Sequence, residues 1–137
     1  MKVNDKGQMI GHGEEVALEI LKEIFGDGAE YTTQVKFSTL LSDEWRDTLS
    51  ERQEKETLDI VIKNNDKTMV FRIQDNHHKG FHTQQRDLVQ KKTLEWNNCL
   101  VFDVWQDECP ELFKDIKSEK SISELKEAIS LEKNLKN

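Results

Sequence analysis

The chain has 137 residues with only one proline and six glycines, which predicts a single domain over 1–137 and excludes a flexible linker or a low-complexity tract. Its formal net charge is −7, so the protein as a whole does not attract nucleic acid, and phosphate binding needs a local group of basic residues. No apolar stretch approaches the ~20 residues that cross a bilayer, which predicts a soluble protein with no membrane contact.

The first part of the chain predicts a helix, a strand and a helical excursion. Apolar residues recur at helical spacing in 13–25, GEEVALEILKEIF, and two glycines follow to stop the helix. The segment 31–37, YTTQVKF, alternates and is rich in β-formers, so it predicts a strand. The acidic segment at about 38–56 predicts a helical excursion, whose apolar residues are Leu40, Leu41, Trp45 and Leu49.

Two strands joined by a tight turn come next. In 57–63, TLDIVIK, alternation predicts one face with Leu58, Ile60 and Ile62, and the opposite face with Asp59 and Val61. The turn residues Asn64, Asn65 and Asp66 tolerate left-handed geometry and predict a hairpin. In 68–74, TMVFRIQ, Gln74 shares a face with Val70 and Arg72.

The last third predicts a helix, a buried strand and a final helix. The helix at about 83–97 takes its apolar anchors from Leu88, Val89 and Trp96. The strand at 99–105, CLVFDVW, is nearly unbroken in apolar character, which indicates burial on both faces. A C-terminal helix is predicted at about 121–133, where Ser121 as N-cap and Glu124 form a capping box and Ile122, Leu125, Ala128 and Ile129 form an apolar seam. A mixed sheet flanked by helices, an α/β fold, follows from this order.

The two cysteines and the first residues bear on the compartment. Cys99 and Cys109 have neither metal-ligand spacing nor a CxxC pair, and Cys99 lies in an apolar run as a small core residue. A disulfide framework is therefore not expected, which favours a reducing compartment. The first fifteen residues lack the apolar run of a signal peptide. We predict a cytoplasmic protein.

A candidate cation site emerges from the Asp59 face. A carboxylate within an apolar strand is costly to desolvate unless it meets a cation, and a short hairpin can bring Gln74 beside it. Magnesium prefers a few oxygen ligands and suits phosphate chemistry. The carboxylates of Asp59 and Glu14, the amide oxygen of Gln74 and the carbonyl of Asp75 would supply them. A bound water would then attack a phosphodiester, and Lys79 or one of the histidines His77 and His78 would stabilise charge or handle the proton.

Over roughly residues 13–105 the chain resembles the PD-(D/E)XK nuclease superfamily, the restriction-endonuclease-like proteins, and within it the archaeal-type Holliday junction resolvases. The resemblance rests on a helix that opens Gly13-Glu14 and on the strands Leu58-Asp59-Ile60-Val61 and Phe71-Arg72-Ile73-Gln74, followed by a helix and a buried strand. It implies an αβββαβ core with a mixed four-stranded sheet. It also implies Mg²⁺- or Mn²⁺-dependent cleavage of duplex or branched DNA by a homodimer.

By position, the family's helix acid, strand aspartate, second acid and lysine fall on Glu14, Asp59, Gln74 and Asn76. The last two depart from the family pattern. A glutamine oxygen still coordinates a cation, and Lys79 or His78 would replace the missing lysine. For the dimer interface, the C-terminal seam and the Trp45 excursion are the candidates.

A basic group follows the hairpin and predicts the DNA contact. It consists of Lys79, Arg86, Lys91 and Lys92, and Asp87 is the one acid between positions 79 and 92. Arg86 with Gln84, Gln85 and Gln90 is predicted to face a phosphate backbone. The alternative is an ordinary solvated helix face.

Other interpretations of the same residues remain open. Glu14 can be a first-turn acid that favours the helix dipole, and Asp59 can be a solvated sheet residue. A zinc site at His77, His78 and His82 is disfavoured because adjacent strand residues point to opposite faces, and the three tryptophans Trp45, Trp96 and Trp105 are typical of core anchors.

The sequence predicts a divalent-metal-dependent DNA endonuclease. Its first alternative is a catalytically lapsed nuclease-fold protein that binds nucleic acid or a protein partner. Its second is a protein-binding module that uses the acidic surface at 42–56.

Overall fold

A computed structural model describes residues 13–74 and 81–136 of the chain, with side chains over 13–74 and 82–130. Four strands form one sheet in the order β1-β2-β3-β4: β1 (Glu30–Lys36), β2 (Thr57–Asn64), β3 (Lys67–Gln74) and β4 (Cys99–Trp105). The first three strands are antiparallel, and β4 lies parallel to β3. The prediction of a mixed four-stranded sheet in an α/β fold is confirmed.

Helices surround this sheet. They are α1 (Glu14–Phe25), α2 (Asp43–Arg46), α3 (Glu51–Glu54), α4 (Phe81–Trp96) and α5 (Glu119–Lys136), with short 3₁₀ turns at Phe37–Leu40 and Leu112–Lys114. The predicted excursion between β1 and β2 is thus three short helical turns. Within the described ranges, every helix is too short or too polar to span a bilayer.

The predicted hairpin joins β2 to β3. Asn64 pairs with Lys67, which leaves a two-residue turn, and Asn65 has a φ of 57°. Asparagine tolerates this left-handed conformation better than most residues do. The turn fixes the register that brings Ile60 opposite Phe71.

Two apolar clusters hold the sheet between its helices. The first packs α1 and α5 on one face; its fully buried members include Ile20, Leu21, Ile60, Ile62, Phe71 and Leu125. The second packs α4 and the excursion on the other face; its members are Phe37, Leu41, Leu58, Val61, Val70, Leu94, Cys99 and Val101. Burying a large apolar side chain contributes roughly 1.5–3 kcal/mol. Cys99 belongs to the core as predicted, and both cysteines are free thiols.

The predicted apolar anchors of α4 are wrong. Leu88, Val89 and Trp96 are 50%, 48% and 74% exposed, whereas Leu94 is fully buried. The inward face of this helix is otherwise polar, because it covers buried polar side chains of the sheet. Trp96 contacts the half-buried Trp45 at a ring-centroid distance of 6.0 Å, and it is not a core anchor.

The start of the last helix also differs from its prediction. The side chains of Ser118 and Ser121 accept hydrogen bonds from each other's backbone N–H groups, at 3.1 and 2.8 Å. The capping residue is therefore Ser118, and Ser121 lies buried inside the first turn. Because Leu125 and Ile129 belong to the first cluster, the apolar seam packs on the chain's own sheet and is not an open dimer interface.

The predicted alternation of β2 fails at its first residues. Leu58 packs in the same cluster as Val61, not with Ile60 and Ile62. The neighbouring strand carries Gln34 at a φ of 51°, opposite Asp59, and this left-handed residue interrupts the regular pleat. The irregularity lies where the candidate site begins.

Candidate functional site

Glu14 is positioned by a tight junction at the start of α1. Gly13 has a φ of 80°, and its N–H donates to Asp115 Oδ1 at 2.7 Å. A Cβ at position 13 would lie 3.0 Å from the carbonyl oxygen of Leu112, so glycine is needed there for both conformation and space. Glu14 is consequently held inside the protein at 8% exposure.

The Glu14 carboxylate meets two polar neighbours. The Gln34 side chain donates Nε2–H to both of its oxygens at 3.2 Å. Desolvation by burial raises the pKa of Glu14, the Gln34 bond partly offsets this, and the negative charge of Asp59 raises the pKa further. Two carboxylates therefore lie within electrostatic reach of each other at this end of the sheet.

Asp59 lies where β2 and β3 separate. The last register pair towards this end joins Ile60 to Phe71. Beyond this pair, the Asp59 carboxylate, in place of a backbone carbonyl, accepts the hydrogen bond that links the two strands. Its Oδ2 accepts a hydrogen bond from the backbone N–H of Ile73 at 2.8 Å. This contact fixes the carboxylate between the strands.

A cavity of about 390 Å³ opens beside Asp59. It lies between the ends of β2 and β3, helix α3 and residues 83–90 of α4. Its lining residues are Arg52, Glu56, Thr57, Leu58, Asp59, Arg72, Ile73, Gln74, Thr83, Arg86, Asp87 and Gln90. The structure thus brings Asp59 and Gln74 into one cavity. Glu14 is not part of its lining and approaches Asp59 from the side of α1.

A buried ion pair supports the floor of this cavity. Arg72 donates Nε–H and Nη2–H to the two oxygens of Asp103, at 2.6 and 2.9 Å. Its Nη1–H groups donate to the Asp87 carbonyl at 2.8 Å and to Gln90 Oε1 at 3.2 Å. Gln90 in turn donates to Glu56 Oε2 at 3.0 Å. These bonds tie β3, β4, α4 and the end of the excursion together.

Gln74 ends β3 and is only 3% exposed. Its Nε2–H donates to Asp103 Oδ1 at 3.3 Å. Within the residues that the structure describes, its Oε1 accepts no hydrogen bond, although the side chain lines the cavity. An amide oxygen on a cavity wall, to which no described residue donates, is a group that a cation or a ligand N–H would satisfy.

The predicted basic group does not form a single surface. Arg86 lines the cavity, whereas Lys92 is exposed and lies 4.0 Å from Glu95. At about 100° per residue, Lys91 and Lys92 lie far around the helix from Arg86. Gln84 is exposed, whereas Gln90 faces inward and donates to Glu56. The predicted roles of Asp75, Asn76, His77, His78 and Lys79 fall outside the described residues.

Three contributors to this site were not predicted from the sequence. Gln34 orients Glu14, Asp103 holds Arg72 and Gln74, and Arg72 connects the sheet to α4. In the sequence, Arg72 and Asp103 each stand between apolar residues of a strand. A charged residue of each sign in two buried strands is a signal for an ion pair. Gln34 carried no such signal.

Within the described ranges, no three His, Cys, Asp or Glu side chains come together as a metal cluster; the candidate set is two carboxylates and an amide. A scan against protein-family models and searches of curated proteins and of solved structures return no match to this chain. The geometry of the site therefore carries the functional argument.

Proposed function

We propose that this protein is a divalent-metal-dependent endonuclease that hydrolyses DNA phosphodiester bonds, built on the PD-(D/E)XK core. The observation that carries the proposal is the cavity at the separating ends of β2 and β3, where Asp59 and Gln74 lie together and Glu14 lies within electrostatic reach of Asp59. The order α1-β1-β2-β3-α4-β4, with β4 parallel to β3, agrees with the αβββαβ order that the resemblance implies.

The residues present fit a divalent cation on two observations. The Gln74 Oε1, on a side chain that is 3% exposed, accepts from no described residue, and the charge of Asp59 makes ionisation of Glu14 less favourable. A cation between these oxygens would relieve both costs. Mg²⁺ and Mn²⁺ accept such carboxylate and amide oxygens.

The chain's own residues prepare the chemistry. The Ile73 N–H fixes one oxygen of Asp59 and Gln34 fixes the carboxylate of Glu14, so both acids are oriented before substrate arrives. When bound, the ion supplies a water of lowered pKa and an electrophile for the phosphate oxygen. Asp59, Glu14 and Gln74 are the residues that would hold it.

Arg86 is suited to receive the phosphate. Arg72 is engaged by Asp103, and Arg52 donates to Glu56 at 2.7 Å. Arg86 is the cation of the cavity wall that makes no ion pair or hydrogen bond within the described residues. Thr83, one turn earlier, lines the same wall. The guanidinium and the hydroxyl match a phosphate's negative charge and acceptor oxygens.

Plasmid nicking tests the proposal. Supercoiled plasmid is incubated with Mg²⁺ or Mn²⁺ and with wild type, Asp59→Asn or Asp66→Asn. The asparagine side-chain oxygen can still accept the hydrogen bond from the Ile73 N–H, but the negative charge is lost. We therefore expect nicking to fall by about 100-fold or more. Asp66 is exposed in the hairpin turn, and its substitution should leave nicking unchanged. Wild type that fails to nick with either ion contradicts the proposal.

A second candidate is a nuclease-fold protein without catalysis that binds nucleic acid or a protein partner. One observation in its favour is that the neutral Gln74 stands in place of an acid. A second is that the three arginines of the cavity wall are equalled in number by three acidic residues, Glu56, Asp59 and Asp87. Fluorescence anisotropy with labelled duplex and branched DNA separates the two. Salt-sensitive binding without nicking supports the second candidate.

We also propose that the protein acts as a homodimer, since the described part of each chain offers one candidate site and a duplex has two strands. The outward face of α4 carries exposed Leu88, Val89 and Trp96 next to Trp45. Basic Lys92 lies on this face, and acidic residues of α2 flank it. A two-fold contact would place the basic helix of each chain against the acidic helix of the other, as self-complementary surfaces require.

A further inference from the structure

Asp103 occupies a position from which it acts on both the ion pair and the candidate ligand. In the parallel pairing of β3 with β4 it lies in register with Arg72. Its Oδ1 accepts from Arg72 Nε and from Gln74 Nε2, and its Oδ2 accepts from Arg72 Nη2. With side chains 7% and 12% exposed, Arg72 and Asp103 form a desolvated, bidentate pair in which both Asp103 oxygens accept hydrogen bonds.

With both oxygens engaged as acceptors, the Asp103 carboxylate has no hydrogen to donate to Gln74. It therefore admits a single orientation of the Gln74 amide, with Nε2 towards Asp103 and Oε1 directed away from it. The reverse orientation would place Oε1 against a carboxylate oxygen, and the nitrogen would be left in the cavity. The Arg72 contacts to Asp87 and Gln90 on α4 hold the side chains of Arg72 and Asp103 in this position.

We infer that Asp103, held by Arg72, is a positioning residue that turns the Gln74 amide oxygen into the cavity as a neutral ligand for a divalent cation. The inference rests on the proposed function, because it needs a cation at this site. It also explains the residue type at position 74. A carboxylate there would face the Asp103 carboxylate at hydrogen-bonding distance, whereas an amide donates to it.

The inference is tested by exchanging the amide at position 74 and the carboxylate at position 103. In Gln74→Glu, two carboxylates face each other, and we expect Tm to fall. In the Asp103→Asn background the same change should raise Tm, because the introduced carboxylate accepts from the new amide and lies close to Arg72. The expected sign reversal is measured by thermal unfolding without metal or DNA. An effect of Gln74→Glu with the same sign in both backgrounds overturns the inference.

Mn²⁺ binding by calorimetry is the second readout. Supporting groups behind metal ligands typically change affinity by about 10–100-fold, so Asp103→Asn should bind Mn²⁺ at least about tenfold more weakly. The double variant Gln74→Glu/Asp103→Asn should recover the affinity. Asp66→Asn, exposed in the hairpin turn between β2 and β3, is the matched control and should bind as wild type does.

The outcomes distinguish the inference from the proposed function. If Asp103→Asn loses stability but binds Mn²⁺ with wild-type affinity, Asp103 only supports the fold, and the inference is overturned while the proposed function stands. If wild type binds no Mn²⁺, the proposed function falls and takes the inference with it. If Asp103→Asn does not fold, recovery of folding and Mn²⁺ binding in the double variant supports the inference, and failure to recover contradicts it.

Discussion

Ionisation of Glu14 works against the fold. The residue is buried, and both desolvation and the Asp59 charge raise the pKa of its carboxyl above the ordinary value of 4.5. A carboxyl with a raised pKa in the folded state destabilises the protein once it is ionised. That cost is complete above the raised pKa and disappears as pH falls towards 4.5 and below, because the folded state takes up the proton first. Residues at metal and catalytic sites commonly carry such a cost.

Glu14→Gln should therefore raise Tm at neutral pH, and the difference from wild type should shrink as pH approaches 4.5. The amide retains an oxygen that accepts from Gln34. The measurement is thermal unfolding followed by circular dichroism at the two pH values, in the absence of divalent metal. Glu19→Gln, at an exposed position of the same helix, serves as the control, because the Glu19 charge is not among the causes of the Glu14 shift. A Tm gain that is equal at both pH values would contradict the role of ionisation.

The residues of the site differ in how far the sequence reveals them. Asp59 and Gln74 could be predicted because each is a polar residue in an apolar strand, and a hairpin of known turn length sets their register. Gln34 could not, because its contact with Glu14 depends on a left-handed backbone. Such a conformation costs a non-glycine residue about 1–3 kcal/mol. Only the assembled structure offsets that cost, and strand propensity does not anticipate it.

Helix α4 shows the limit of hydrophobic periodicity at the scale of an element. Its inward positions include Gln90, which binds Arg72 and Glu56, and Thr93, whose hydroxyl donates to the Val89 carbonyl at 2.8 Å. The rule that apolar residues mark the buried face therefore selects the wrong side. The strands were predicted within a residue or two because their apolar residues do pack in the two clusters.

The orientation of α4 can be measured by truncating one leucine on each side. Leu94→Ala should cost about 2–5 kcal/mol of unfolding free energy, since a fully buried leucine leaves a cavity. Leu88→Ala, at 50% exposure, should stay within about 0.5 kcal/mol of wild type. Urea unfolding with unchanged m-values measures both. Comparable losses at the two positions would indicate that the helix is rotated relative to this structure.

For the whole molecule, a net charge of −7 has to be reconciled with the proposed DNA substrate. The acidic excursion and the outward face of α4 adjoin each other at the contact of Trp45 with Trp96. A two-fold dimer through this region would bury acidic residues of one chain against Lys92 of the other. The cavities with Arg86 would then remain open to DNA, with less negative surface around them.

Sedimentation velocity should accordingly show a dimer for the wild type, and Leu88→Asp should shift it to monomer. A carboxylate at the centre of the proposed contact would be desolvated without a partner, and such burial is among the most costly changes an interface can suffer. The matched control is Ile116→Asp. Ile116 is exposed to nearly the same extent, 52%, but lies between β4 and α5, away from this face. It should leave the dimer intact. A wild type that sediments as a monomer, or equal dissociation by both substitutions, would remove the α4 face as the interface.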